Sequence, residues 1–209
     1  MSMKAWIAAL FFAAALTAGT SPAGAAQAQR VVLAGGCFWG MQLVFGSLNG
    51  VEKTVAGYAG GGAATAHYDD VSTGTTGHAE SVEITYDPAR ISFQRLLDVY
   101  FRIAHDPTQR DRQGPDVGSQ YRSEIFYTDA SQASAARAYI EALTRHHVFA
   151  APIVTQLAPL RGFYPAEAEH QQFALHNPTN PYIVVNDIPK LHALRKAYPK
   201  LVKADAPNF

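Results

Sequence analysis

The chain has 209 residues, with 17 lysines and arginines against 17 aspartates and glutamates, 48% hydrophobic residues and 11% aromatics. Zero formal charge removes the electrostatic case for nucleic-acid binding, and this composition argues against disorder. One cysteine, Cys37, excludes an internal disulfide and a multi-thiolate metal centre within these residues, which leaves a globular chain with a single thiol.

Lys4, the apolar run Trp6 to Ala18 and the small residues Ala23-Gly24-Ala25 read as a secretory signal peptide over residues 1–26. The run is about 13 residues, short of the ~20 that a spanning helix requires, and an N-terminal anchor helix is the alternative. Cleavage leaves one domain over residues 27–209, exported to the periplasm or secreted, with no membrane attachment. Leu33-Ala34-Gly35-Gly36-Cys37 has the look of a lipoprotein cleavage site, but the polar stretch from Ser21 to Arg30 separates it from the apolar run. An unpaired cysteine in an exported chain is flagged as a reactive thiol.

Arg30 to Ala34 predicts a strand stopped by Gly35-Gly36. Met41, Val44, Phe45 and Leu48 then keep helical spacing up to Asn49-Gly50. Val51 to Tyr58 predicts a second strand, and Gly60 to Gly77 a loop. Val82, Ile84 and Tyr86 alternate with Glu83 and Thr85, a half-buried strand ended by Asp87-Pro88. Phe93, Leu96, Leu97, Tyr100, Phe101 and Ala104 predict an amphipathic helix capped by Ser92. His105 to Gln120 predicts a loop, Tyr121 to Tyr127 a strand, Ala136 to Leu143 a helix and Ile153 to Leu157 a weak strand. Short helices follow Tyr164-Pro165, notably around Leu191 to Tyr198. The order βαββαβ is the split βαβ, ferredoxin-like pattern: an α+β fold with a mixed sheet, helices packed on it and an irregular C-terminal extension. A doubly wound parallel sheet is the alternative, disfavoured because no helix separates the second and third strands.

Cys37 follows a strand and two glycines and precedes a helix, so its sulfur is expected at a helix N-terminus that lowers its pKa. The bulky pair Phe38 and Trp39 would line an apolar pocket beside it; ordinary core packing is the competing reading. Glu80 shares strand parity with Val82 and Ile84 and would face the apolar side, where a carboxyl stays protonated as a proton donor; an exposed strand start is the alternative. Tyr121 shares parity with Ile125 and Tyr127 and would also point inward, and Tyr58 runs into Gly60-Gly61-Gly62. Packing alone explains either tyrosine. The histidines, including the neighbours His146-His147, lack metal-ligand spacing, so no metal is expected.

At Gly36-Cys37-Phe38-Trp39-Gly40 the sequence resembles the peptide-methionine sulfoxide reductase A family. The likeness continues through Gly57-Tyr58-Ala59-Gly60-Gly61, Gly74-Thr75-Thr76-Gly77-His78-Ala79-Glu80, His105 to Gln109 with Asp116 to Ser123, and Phe163 to Glu167 with His170-Gln171. These five motifs stand in order over about residues 31 to 195.

The resemblance implies that Cys37 attacks the sulfoxide sulfur, releases methionine and becomes a sulfenic acid. Glu80 would protonate the departing oxygen, Tyr58 and Tyr121 would hydrogen-bond it, Asp116 would support the site, and Phe38 and Trp39 would hold the S-methyl group. The substrate would be the S epimer of methionine sulfoxide, free or in oxidatively damaged exported proteins, and no cofactor would be bound. Many relatives carry further cysteines near the C-terminus; their absence here implies reduction by an external thiol such as thioredoxin, a glutaredoxin or a glutathione-like molecule. A monomer is expected. Asp111, Pro115 and Glu169 depart from the family's usual residues, as does Thr65-Ala66 ahead of the loop tyrosine Tyr68, and these positions bear on peptide preference. A papain-like hydrolase pairing Cys37 with His170 and Asn180 or Asn186 is a rival, as is a non-catalytic methionine-binding module; the protease lacks the leading cysteine of its signature and gives Glu80 no task.

Overall fold

The computed structural model describes residues 27–209, so the proposed signal peptide lies outside the described residues. The chain runs β1 (Gln29–Gly35), α1 (Phe38–Gly46), β2 (Val51–Ala59), α2 (Tyr68–Ser72), β3 (Ala79–Tyr86) and α3 (Phe93–Val99). A two-stranded ribbon of β4 (Arg112–Gln113) and β5 (Asp116–Val117) follows, then β6 (Ser123–Tyr127), α4 (Ala130–Arg145), β7 (Gln156–Pro159), β8 (Phe163–Pro165), α5 (Phe173–His176) and α6 (Ile188–Ala197). The main sheet has the order β7-β6-β1-β3-β2-β8. Its four central strands pair antiparallel in the split βαβ arrangement, β7 adds parallel to β6, and β8 adds antiparallel to β2. The α+β, ferredoxin-like reading holds.

Strand alternation assigns the two faces. Val31, Leu33, Ala56, Tyr58, Val82, Ile84 and Ile125 join the large core under the helices. Val32, Ala34, Ala59, Ala79 and Phe126 pack on the other face with Leu160 and Phe163. Helix α1 is apolar nearly all round, with Phe38, Met41, Leu43, Val44 and Phe45 buried, because the sheet covers one side and the C-terminal helices the other. Ser92 caps α3 as expected, its side chain accepting from the Arg95 N–H, and Asp129 caps α4 through Gln132.

Several boundaries move. The first predicted loop contains α2, and the second contains the β4–β5 ribbon and a 3₁₀ turn over Ser119–Tyr121. Strand β6 begins only at Ser123, so Tyr121 belongs to that turn and not to the strand on which its parity was counted. The weak strand sits at Gln156–Pro159, and β8 is a three-residue strand without a pattern of its own. Among the described residues no helix is long and apolar enough to cross a membrane.

Candidate active site

The site forms where β1 hands over to α1. Gly36 turns the chain with φ of +88°, and a Cβ there would lie 2.6 Å from the side chain of Gln113, so the residue at this corner has to be glycine. Cys37 is the N-cap of α1 and is 8% exposed. Glu80 on β3 is 3% exposed and faces the helices, as strand parity predicts; the exposed-start alternative falls. Its Oε2 accepts the Phe38 N–H at 3.0 Å, which brings the carboxyl to the start of the helix that Cys37 caps. Burial raises Glu80 to about 8, against the smaller downward pull of that hydrogen bond.

The thiol corrects one expectation. Cys37 titrates well above an ordinary cysteine, chiefly because it is desolvated, then because Glu80 and Asp187 lie near it. The Trp39 N–H pulls the other way, as a helix N-terminus should, but burial and the neighbouring carboxylates outweigh it.

Aromatic residues wall the site. Phe38 is fully buried, while Trp39 stacks on Phe173 at 3.9 Å and lies edge-on to Tyr182 at 5.9 Å. The Trp39 Nε1–H donates to His170 Nδ1 at 3.3 Å, and His170 stacks on Tyr68 at 4.2 Å. The acidic rim comes from β5, where Asp116 accepts a hydrogen bond from the Tyr182 hydroxyl.

The tyrosines divide differently from the sequence reading. Tyr58 lies directly across from Glu80 on the β2–β3 ladder, yet its hydroxyl donates to Glu167 at 2.8 Å. Tyr68, at the start of α2, is raised by burial and by the charges of Glu80, Cys37 and Asp116. Tyr121 is raised by burial and by Glu80, Asp116, Cys37 and Tyr68, and it reaches the site from its 3₁₀ turn. The structure thus gathers Cys37, Phe38, Trp39, Glu80, Asp116 and Tyr121, and it adds Tyr68 and Tyr182, which no periodicity marked. Arg122 ties the two site loops together, donating to the carbonyls of Gly77, His78 and Ser119 and pairing with Glu124.

Among the described residues no group of three or more His, Cys, Asp or Glu side chains is arranged to hold a metal ion. The chemistry available is a thiol beside a neutral carboxyl, under neutral phenols, against an apolar wall.

Comparison with known proteins agrees with that inventory. The sequence model described as peptide methionine sulfoxide reductase matches residues 29–201. The chain is 51% identical over 173 residues to peptide methionine sulfoxide reductase MsrA 2 of Mesorhizobium japonicum, covering 83% of this chain and 89% of that protein. It is 47% identical to the Synechocystis protein of the same name, covering 85% of this chain and 83% of that one. Methionine sulfoxide reductase A of Corynebacterium diphtheriae superposes with a TM-score of 0.68 at 37% identity, covering 73% of this chain and 76% of that one. The reduced form of Mxr1 from Saccharomyces cerevisiae gives 0.68 at 32% identity, covering 79% and 92%. The protease and binding-module readings are thereby set aside, and the chain belongs to the peptide methionine sulfoxide reductase A family of oxidoreductases.

Proposed function

We propose that this chain reduces the S epimer of methionine sulfoxide, free or within proteins, through a sulfenic acid on Cys37, and that an external thiol then restores the cysteine. The observation that carries the reading is Glu80, a buried carboxyl held neutral up to about pH 8 and hydrogen-bonded to the helix start that Cys37 caps. Sulfoxide oxygen leaves poorly unless it is protonated, and a neutral acid supplies that proton. With Oε2 occupied by the Phe38 N–H, the other oxygen is left to carry it.

In this scheme the Cys37 sulfur attacks the sulfoxide sulfur while Glu80 gives its proton to the oxygen. The sulfur–oxygen bond breaks, the released hydroxyl adds to the Cys37 sulfur as S–OH, and the sulfur–sulfur bond made by the attack breaks with its electron pair leaving on the thioether. The thiol gives up its proton as it attacks, which restores Glu80, so thiol and sulfoxide become sulfenic acid and thioether with no net proton change. A protonated resting thiol fits this order, because ionisation accompanies attack instead of preceding it.

Tyr68 and Tyr121 are the phenols we assign to the sulfoxide oxygen; both stay protonated and both feel the charges of Cys37 and Glu80. Tyr58 is moved from that role because its hydroxyl is committed to Glu167. Phe38 and Trp39 form the wall for the S-methyl group, and Asp116 with Tyr182 forms the polar rim. The single cysteine supports reduction by an outside thiol such as thioredoxin or a glutathione-like molecule. The 1–26 reading supports repair of exported proteins in the periplasm, which sequencing the N-terminus of the protein from the periplasmic fraction checks.

The deciding experiment is turnover of an S-sulfoxide with dithiothreitol. Cys37→Ser is expected to abolish it, and full activity in that variant overturns the reading. Glu80→Gln is expected to lose about 10²-fold in rate while Cys37 remains open to alkylation.

A further inference from the structure

The turn that runs from Glu167 to His170 grips two walls of the site from behind. Glu167 spends both carboxylate oxygens on separate elements: Oε2 accepts the Tyr58 hydroxyl at 2.8 Å, and Oε1 accepts the Tyr68 N–H at 2.9 Å. Tyr58 is a fixed point, since it lies fully buried in the β2 ladder. Tyr68 is not, because α2 is five residues long and its own N-cap, His67, makes no side-chain cap. So short a helix is marginal by itself. Glu167 supplies the missing cap from across the fold and ties the first turn of α2 to the sheet.

Three residues on, His170 holds the other wall. Its Nδ1 accepts the Trp39 Nε1–H at 3.3 Å, so the imidazole there is an acceptor, and burial lowers its affinity for a proton. The same ring stacks on Tyr68 at 4.2 Å and sits 5.4 Å from Phe38.

We propose that this turn is a positioning element for the sulfoxide site, with Glu167 setting where Tyr68 stands and His170 setting how Trp39 is turned, neither of them touching substrate. The inference rests on the assignment of Tyr68 and Trp39 to the substrate. It gives the Phe-Tyr-Pro-Ala-Glu and His-Gln motifs a task that the reaction itself leaves open.

The test measures kcat and KM on an S-sulfoxide with dithiothreitol, the rate of Cys37 alkylation by iodoacetamide, and Trp39 emission in a Trp6→Phe background. Glu167→Ala is expected to lower kcat/KM about tenfold or more, as misplacement of an oriented group does, with alkylation within about twofold of the parent. Glu167→Gln keeps an oxygen for the Tyr68 N–H and is expected to recover most of the loss. His170→Phe keeps a ring against Tyr68 but offers Nε1 no acceptor; it is expected to raise KM and shift Trp39 emission, and His170→Gln to reverse both in part. Parent-like kinetics in Glu167→Ala and His170→Phe overturn the proposal. So does a loss matched by an equal change in alkylation, which marks general collapse of the site. Should the parent fail to turn over a sulfoxide, the assigned reaction fails, while unchanged Trp39 emission in His170→Phe is what refutes the positioning.

Discussion

In its proposed role Glu80 acts as an acid only while it keeps its proton. Burial holds that proton to about pH 8, so turnover is expected to fall as pH rises through that value. The signature in stability has a definite sign: the folded carboxyl keeps a proton that the unfolded one gives up above about 4.5, so folding weakens as pH climbs from there to about 8. Glu80→Gln is expected to remove both slopes, and urea melts across pH 5 to 9 beside pH–rate profiles check the pair. A rate unaffected by pH 8 in the parent removes Glu80 from the role of acid. The phenols make a second test. Tyr68→Phe is expected to lower kcat about 10²- to 10³-fold, the cost of losing one donor to the reacting oxygen, and Tyr58→Phe far less. Equal losses would mean that the Tyr58 hydroxyl serves the substrate after all. What could be read from the sequence was Glu80, since period-two alternation places every other β3 residue under the helices. Tyr68 could not be, because the bonds that place it reach Glu167, 99 residues away. The Cys37 shift was hidden for the same reason: a helix start is local, but Glu80 and Asp187 meet it only in the fold.

Between elements, the tightest constraint on the site lies where α6 meets the first turn of α1. Asp187, at the N-cap of α6, is fully buried, pairs with Lys190 at 3.1 Å, and presses its carboxyl against Gly40. A Cβ on Gly40 would fall 2.0 Å from Asp187 Oδ1 and 2.9 Å from Lys190 Nζ. Gly40→Ala therefore cannot be absorbed without moving α6, despite the better helix propensity of alanine. It is expected to cost about 1–3 kcal/mol, the usual range for overpacking, and to lower turnover by tilting the Cys37 turn. Chemical denaturation and kcat of the variant measure the two effects, and a stability equal to the parent shows that α6 yields freely. The central elements were legible because each has a period or a cap, such as Ser92 before α3. The edges were not. Strand β8 has three residues, and its place on β2 is extended by the side chain of Gln171, which takes the N–H and carbonyl of Ala56 as a neighbouring strand would. The ribbon of β4 and β5 is shorter still, and it carries Asp116 to Tyr182 across 66 residues of sequence.

For the whole molecule the governing fact is that one thiol serves 209 residues. In the proposed scheme, reduction of a sulfoxide moves two electrons out of Cys37 and leaves oxygen on it, and within these residues no second thiol can condense with the product. The reaction must then stop after one cycle unless another molecule supplies a thiol. In the absence of reductant, mixing the protein with excess S-sulfoxide is expected to release about one methionine per chain, consume the free thiol and leave a sulfenic acid that dimedone traps. Adding dithiothreitol afterwards should restart turnover without a lag, since the site has only to lose the oxygen. Quenched-flow methionine analysis with mass spectrometry of the dimedone adduct reads both quantities from one sample. Release of two or more methionines per chain without added thiol would sink this account, because the electrons for the second would have to come from a group other than Cys37.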